Sequence, residues 1–296
     1  MLHKYLRAIG FSKLNSRKEL QSLLRECIEK ADAKSYVSID DETIFAEFNK
    51  EFSKGMGIAV RGEFDEENRF TYEYYFPYVI GTNLSSTEDI SIERHAEKES
   101  YAGVCDDVRV GVSLIFYLQN IIPYIKLKNA KKLPIRGTSL TLSALSTQGI
   151  IMMPIEKDAL AQKKNNQNKI NRLKLLQEAK RGNEEAMETL SLDDMDTYSF
   201  VAKKIHKQDL FSLVDTCFMP YGVECDMYSI VGQIIACRQQ ENSMTKEIVH
   251  ILSVECNDLV FDVCINSVDL YGEPAVGRRF KGSIWLQGFV NFPMEV

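Results

Sequence analysis

The sequence has few of the features that identify a chemistry. No run among its 296 residues approaches the roughly 18 consecutive apolar positions that cross a bilayer, and no apolar leader follows Met1-Leu-His-Lys-Tyr-Leu-Arg7. A cytoplasmic protein without membrane association is expected. Neither a Gly-x-Ser-x-Gly elbow nor a His-Glu-x-x-His pair occurs, which weighs against serine-hydrolase and zinc-peptidase chemistry. Gly272 and Gly277 have the spacing of a phosphate-binding loop, but Arg278 and Arg279 stand where Lys and Ser or Thr are needed, and they open a strand rather than a helix. Gly55, Gly57 and Gly62 do not complete a dinucleotide fingerprint, so no cofactor is implied. Cysteine is present, but seven is an odd count at irregular spacings. Cys27, Cys217, Cys237, Cys256 and Cys264 are therefore expected as small buried free thiols.

Charge of one sign is short in the C-terminal third. The net charge of −6 divides as −2 over residues 1–156, +3 over 157–207 and −7 over 208–296. An acidic third lacks the Lys and Arg from which phosphate-backbone binding draws its affinity, so nucleic acid is a disfavoured partner there.

What is present is a strong pattern of strands. Ser16 followed by Glu19 predicts a capping box, with Leu20, Leu23, Leu24, Cys27 and Ile28 on one helical face. Extended runs follow at 35–39, 43–52, 57–64 and 69–75, with a polar turn at 65–68, then at 108–118, and at 139–155 as two strands joined at Gln148-Gly149. From Lys157 to Arg181 there are eight basic residues and no proline or glycine, with Ile170, Leu173, Leu176 and Ala179 at helical spacing. Gly182-Asn183 ends this helix and caps the next, and Asp193, Asp194 and Asp196 read as the cap of a third helix at 197–206. Strands recur at 209–218, 228–238, 246–255, 259–265 and 279–292. The last holds the only tryptophan, Trp285, in strict alternation, with Gly277, Gly282 and Gly288 marking bends or close approach.

These patterns predict an α+β fold, predominantly antiparallel β. An α+β domain (1–156) is followed by a charged helical connector (157–207) and a small OB-like β-barrel (208–296), five strands being too few for an immunoglobulin-like sandwich. The segments Val112-Ser-Leu-Ile-Phe-Tyr-Leu-Gln-Asn120, Phe218-Met-Pro-Tyr-Gly-Val-Glu-Cys-Asp226 and Gly277-Arg-Arg-Phe-Lys-Gly-Ser-Ile-Trp-Leu-Gln-Gly288 resemble an uncharacterised clostridial family carried as a domain of unknown function. The resemblance covers essentially the whole chain, including His3 to Phe11. It implies no activity, cofactor or catalytic residue.

Candidate sites come from residue chemistry alone. His95 with Glu93, Glu97, Asp106 and Asp107 has the types that ligate a divalent metal or carry protons, set against the alternation of a solvated face. Trp285, Arg278 and Arg279 are candidates for partner contact in the barrel, and Lys163, Lys164, Lys169 and Arg172 can track phosphates along the connector. His206 with Cys217 and Cys225 lacks the close pairing of a structural zinc site. The expected function is a non-enzymatic binding or scaffold protein that meets a protein partner or a second copy of itself. A metal-assisted hydrolase at His95 is the alternative, and nucleic-acid binding through the connector the third reading.

Overall fold

Ser16 opens the first helix as its sequence predicts. Its hydroxyl accepts from the Glu19 amide at 3.1 Å while the Glu19 carboxylate accepts from the Ser16 amide at 3.3 Å, and α1 (Arg17–Glu29) buries Leu20, Leu23, Leu24 and Cys27. A 3-10 helix at Lys4–Ile9 precedes it and buries Tyr5, Leu6, Ala8 and Ile9. The computed structural model describes residues 2–39, 43–94, 100–107, 109–110, 113–133, 137–155, 171–204, 214–222 and 225–293.

The first four extended runs form an antiparallel meander, β1 (Ala33–Ser38), β2 (Ile44–Ser53), β3 (Met56–Phe64) and β4 (Phe70–Val79). Asn68 turns between the last two at φ 62°, a left-handed conformation that Asn tolerates. The second sheet has ten strands: β5 (Ile90–Arg94), β6 (Tyr101–Cys105), β7 (Leu114–Leu118), β8 (Ser139–Met152), β9 (Cys217–Pro220), β10 (Met227–Glu241), β11 (Ile248–Cys256), β12 (Leu259–Asn266), β13 (Leu270–Tyr271) and β14 (Arg279–Asn291). The helices are few. They are α1, α2 (Ile121–Asn129), α3 (residues 171–180) and α4 (Glu184–Lys204). None among the described residues is long and apolar enough to cross a membrane.

Within the second sheet, β8, β12, β11, β10 and β14 close a five-stranded barrel. The β8–β12 pair is parallel and the other four pairs are antiparallel, with β14 returning to β8 along nearly its full length. This corrects the expected layout, which built the barrel from residues 208–296 alone: β8 comes from residues before 156, and the sheet does not divide at that boundary. It also corrects the two strands expected at 139–155, since β8 runs unbroken past Gln148-Gly149. The irregularity lies in its partner. Gly149 pairs with Gly282, the β14 register shifts just beyond, and a Cβ on either glycine would fall within 2.4 to 2.7 Å of the Phe280 ring. The glycines admit that ring, as close approach requires. Of the run at 108–118, Arg109 and Val110 lie in a turn, and among its described residues the strand is β7.

Two apolar cores result. Alternate residues of the barrel strands, among them Leu142, Ile230, Leu252, Phe261, Phe280, Ile284 and Leu286, fill its interior. Leu145, Met227, Val249, Ile251, Cys264 and Trp285 point outward instead, and they pack under the 3-10 helix, α1 and the four-stranded sheet. The barrel wall is therefore the floor of the N-terminal layer.

On the connector, Asn183 caps α4 by accepting from the amides of Glu185 and Ala186 at 3.1 and 3.3 Å, as expected. The α4 helix continues without a break to Lys204, which overturns the reading of Asp193, Asp194 and Asp196 as a helix cap. With Glu184 and Glu185 complementing the first turn and no glycine or proline intervening, nothing in the sequence stops the helix there.

The cysteines follow the burial pattern with one clear departure. Cys27, Cys256 and Cys264 are buried, Cys217 is half-buried, and Cys237 is exposed because it lies beyond the register shift at Ile234/Ala236, where β10 leaves the barrel. Burial pushes the Cys27, Cys256 and Cys264 thiols up to about 12 and that of Cys105 to about 11. Because the thiolate is the reactive form, Cys225 and Cys237 are expected to react at once with a disulfide reagent at pH 8, and the four buried thiols only on unfolding. Mass spectrometry of briefly alkylated protein reads this directly, and early labelling at Cys27, Cys256 or Cys264 would contradict the barrel packing.

Candidate functional site

Tyr72, Tyr74 and Tyr75 lie on β4, which among the described residues is the edge strand of its sheet. Between β3 and β4 the register slips: Arg61 faces Tyr74 and Gly62 faces Tyr72, so Glu73 is an extra residue without a partner. Such a bulge re-aims side chains, and here it brings Tyr72 and Glu73 to the rim of a cleft of about 590 Å³. The 3-10 helix supplies His3, Lys4 and Tyr5 from the opposite side, β14 supplies Trp285, and the turn before β10 supplies Asp226.

The aromatic groups are held by each other. Trp285 is only 6% exposed, its indole stacks on Tyr5 with centroids 5.3 Å apart, and His3 and Tyr117 lie at 4.9 and 5.1 Å. The indole N–H donates to Asp226 Oδ2 at 2.7 Å, and the Tyr5 hydroxyl donates to Met227 Sδ at 2.8 Å. Tyr72, by contrast, is 47% exposed. Lys4 Nζ already lies 5.1 Å from the Tyr5 ring centroid.

His3 pins the segment. Its amide donates to the Tyr75 hydroxyl at 2.9 Å, and its Nδ1 accepts from the Tyr5 amide at 3.4 Å as the cap of the 3-10 helix. Burial, with Lys4 adding like charge, lowers the imidazole to about 4. A ring that accepts through Nδ1 must be neutral there, which agrees. The unfolded chain takes up a proton below about pH 6.5 that the folded chain refuses until about pH 4. Stability is therefore full above this window and falls through it, by up to about 3 kcal/mol for this group. Burial lowers His250 as well, adding loss of the same sign. Urea unfolding at pH 7 and pH 4 should show a smaller difference for His3→Gln than for the unaltered protein. Equal pH dependence would show that His3 is not held neutral.

Of the sequence-derived candidates, Trp285 forms part of this cleft. The metal set does not assemble. His95 and Glu97 lie outside the described residues, Glu93 is exposed on β5, and Asp106 accepts from Ser113 at 2.5 Å. Asp107 is 2% exposed and bound on several sides: Arg109 Nε donates at 2.8 Å and Ser86 Oγ at 2.6 Å. Burial opposes its charge, but the Arg109 and Ser86 hydrogen bonds prevail and hold its carboxyl below the usual range. Arg109 also donates to the carbonyls of Asp258 and Ser85, so the pair fastens the loop after β6 to the barrel. Among the described residues no three His, Cys, Asp or Glu are grouped to hold a metal ion.

The two barrel arginines differ, Arg279 being buried and Arg278 half-buried at the surface. Arg279, 7% exposed, donates to the carbonyls of Met153 and Val214, and Arg278 to that of Glu273. Both donate to backbone carbonyls, Arg279 from inside the protein and Arg278 at its surface. Lys163, Lys164 and Lys169 lie outside the described residues, as does His206. Arg172 is exposed on α3, whose Leu173, Leu176 and Ala179 are half-buried.

Sequence reasoning missed His3, Tyr5, Tyr72, Glu73, Tyr75 and Asp226. The one available signal was Tyr72-Glu-Tyr-Tyr75, three tyrosines in four residues of an extended run. A family described as a domain of unknown function from an E. rectale gene description, DUF3881, matches residues 6–288. No curated protein and no solved structure matches the chain.

Proposed function

The chain belongs to the DUF3881 family, which assigns no activity, and from the cleft itself we propose a non-enzymatic binding protein that meets a protein partner at the open edge of β4. The observation that carries this is Tyr72, an exposed ring on an unpaired strand edge backed by the buried Trp285–Tyr5 stack. Tyrosine and tryptophan are the side chains that concentrate binding energy at protein contacts, and a rigid aromatic floor loses little entropy when covered. The other candidate residues within the described structure are exposed singly or consumed by internal bonds.

Two finer readings accompany it. The barrel is OB-like, since five strands close it around a three-strand meander, β10 to β12, with one parallel pair. On that reading, the N-terminal layer covers much of its outer wall, which turns the recognition surface over to the cleft. The location is cytosolic, which seven free thiols support.

Affinity capture from lysate with the unaltered protein and with Tyr72→Arg, paired with light scattering of both at low and high salt, tests the function. A partner, or self-association, that Tyr72→Arg abolishes is the expected result. A monomer at both salts with identical captured proteins for the two forms would overturn the proposal.

A further inference from the structure

The cleft has a chemistry of its own. Its walls are rings, whose faces carry negative potential, and the charged side chains among its described lining residues are the carboxylates of Glu73 and Asp226 and the ammonium of Lys4. His3, held neutral by burial and by its cap bond, adds no positive charge. An organic cation suits this balance. One cation already lies beside the cluster, the Lys4 Nζ at 5.1 Å from the Tyr5 ring centroid.

The kind of cation follows from the hydrogen bonds. A primary ammonium brings three N–H donors that need acceptors once desolvated. Here Asp226 Oδ2 accepts from the indole and the Tyr75 hydroxyl accepts from the His3 amide, which leaves the exposed Glu73 carboxylate as the main acceptor for three donors. A quaternary ammonium needs no acceptor and gains most from aromatic faces, which is the established use of aromatic cages. A volume of about 590 Å³ admits a trimethylammonium group with the chain that carries it.

We propose that the cleft between the 3-10 helix, β4 and Trp285 binds a quaternary ammonium group, with Tyr72 as the closing wall, Glu73 as the counter-charge and Lys4 as an internal competitor. This rests on the cleft being the binding region, but not on its partner being a protein. The group occurs in free choline-type molecules and in trimethylated lysine side chains.

The sole tryptophan lies in the wall, so its fluorescence reports occupancy. Choline and a trimethyllysine peptide are titrated alongside two controls, the uncharged isostere 3,3-dimethylbutan-1-ol and the unmethylated peptide. At least one quaternary ligand is expected to bind about tenfold more tightly than its control, a ratio that a desolvated cation–π contact supplies. Whichever is tighter identifies the source. Tyr72→Ala should weaken that ligand about tenfold and Glu73→Gln severalfold, while Lys4→Met tightens it. Tyr72 and Glu73 are exposed, so an unchanged melting temperature confirms that these variants fold. Binding no better than the controls, or indifferent to Tyr72→Ala, overturns the inference. Capture that depends on Tyr72 without quaternary selectivity would leave the protein-partner reading standing alone, and selectivity without capture would leave only the small-cation site.

Discussion

Arg61→Ala is expected to cost about 3 to 5 kcal/mol, the range for removing one partner of a buried ion pair. Arg61, on β3, is fully buried. Its Nε contacts Glu47 Oε2 at 2.5 Å, its guanidinium lies 4.5 Å from the Phe76 ring centroid, and Nη2 donates to the Gln119 carbonyl. Burial works against the charge, yet Glu47 with the hydroxyls of Tyr74 and Tyr117 outweighs it, and the guanidinium is held protonated. Removing it leaves the Glu47 carboxylate and the Gln119 carbonyl inside the protein with one partner fewer. The loss extends past the pair. Gln119 Nε2 donates to Val79 O and Gln287 Oε1, and Gln287 in turn to Pro77 O, so the same bonds tie β4 to β14 across the two sheets. Arg61→Lys keeps the charge but not the fork, and should fall between the two forms. Arg61→Met with Glu47→Leu, which removes both charges, should recover part of the loss, because the penalty lies in the orphaned group more than in the lost attraction. Urea unfolding at pH 7 measures all four proteins. A cost below about 1 kcal/mol for Arg61→Ala would place the pair in water rather than in the interior.

The legible parts of this fold are those that local chemistry fixes. Ser16 with Glu19, Gly182 with Asn183 and the polar turn at 65–68 each declare themselves within four residues, and β1 to β4, β11 and β12 show their run lengths and flanking turns. Closure of the barrel does not work that way. The β8 strand carries apolar residues on both faces, Leu142 and Ala144 inward and Leu145 outward, because the barrel interior lies on one side and the N-terminal layer on the other. The alternation of Ser139 to Ala144 breaks at Leu145 and so does not say which sheet the strand joins, and its partner β14 lies more than a hundred residues away. The same distance hid the cleft: His3, Tyr72, Asp226 and Trp285 come from four separate segments, and no spacing rule links them. Asp107 was visible as a carboxylate, but its pairing with Arg109, two residues on, makes it a fastening for a loop. Carboxylate type alone cannot separate a ligand from a strut.

Trp285→Ala is expected to cost about 3 to 5 kcal/mol, the range for truncating a buried large aromatic. The strand alternation placed Ile284 and Leu286 on one face and Trp285 on the other, and the structure gives that second face a cover. The indole stacks on Tyr5 and meets His3 and Tyr117, so its removal from β14 opens a void against both the 3-10 segment and β7. The transfer loss and the cavity add, because the Tyr5 hydroxyl is anchored to Met227 and its ring cannot simply follow into the gap. Trp285→Phe separates the components. It keeps a ring for Tyr5 to stack on but removes the donor to Asp226, so about 1 to 3 kcal/mol should go with the carboxylate left short of a partner. Asp226→Asn retains an acceptor and should cost less than either. The fluorescence of the single indole supplies the independent check, with blue-shifted emission and little quenching by iodide in the unaltered protein. Emission like that of tryptophan in water would place the ring outside the Tyr5 stack, and both the stability figure and the floor of the cleft would fall with it.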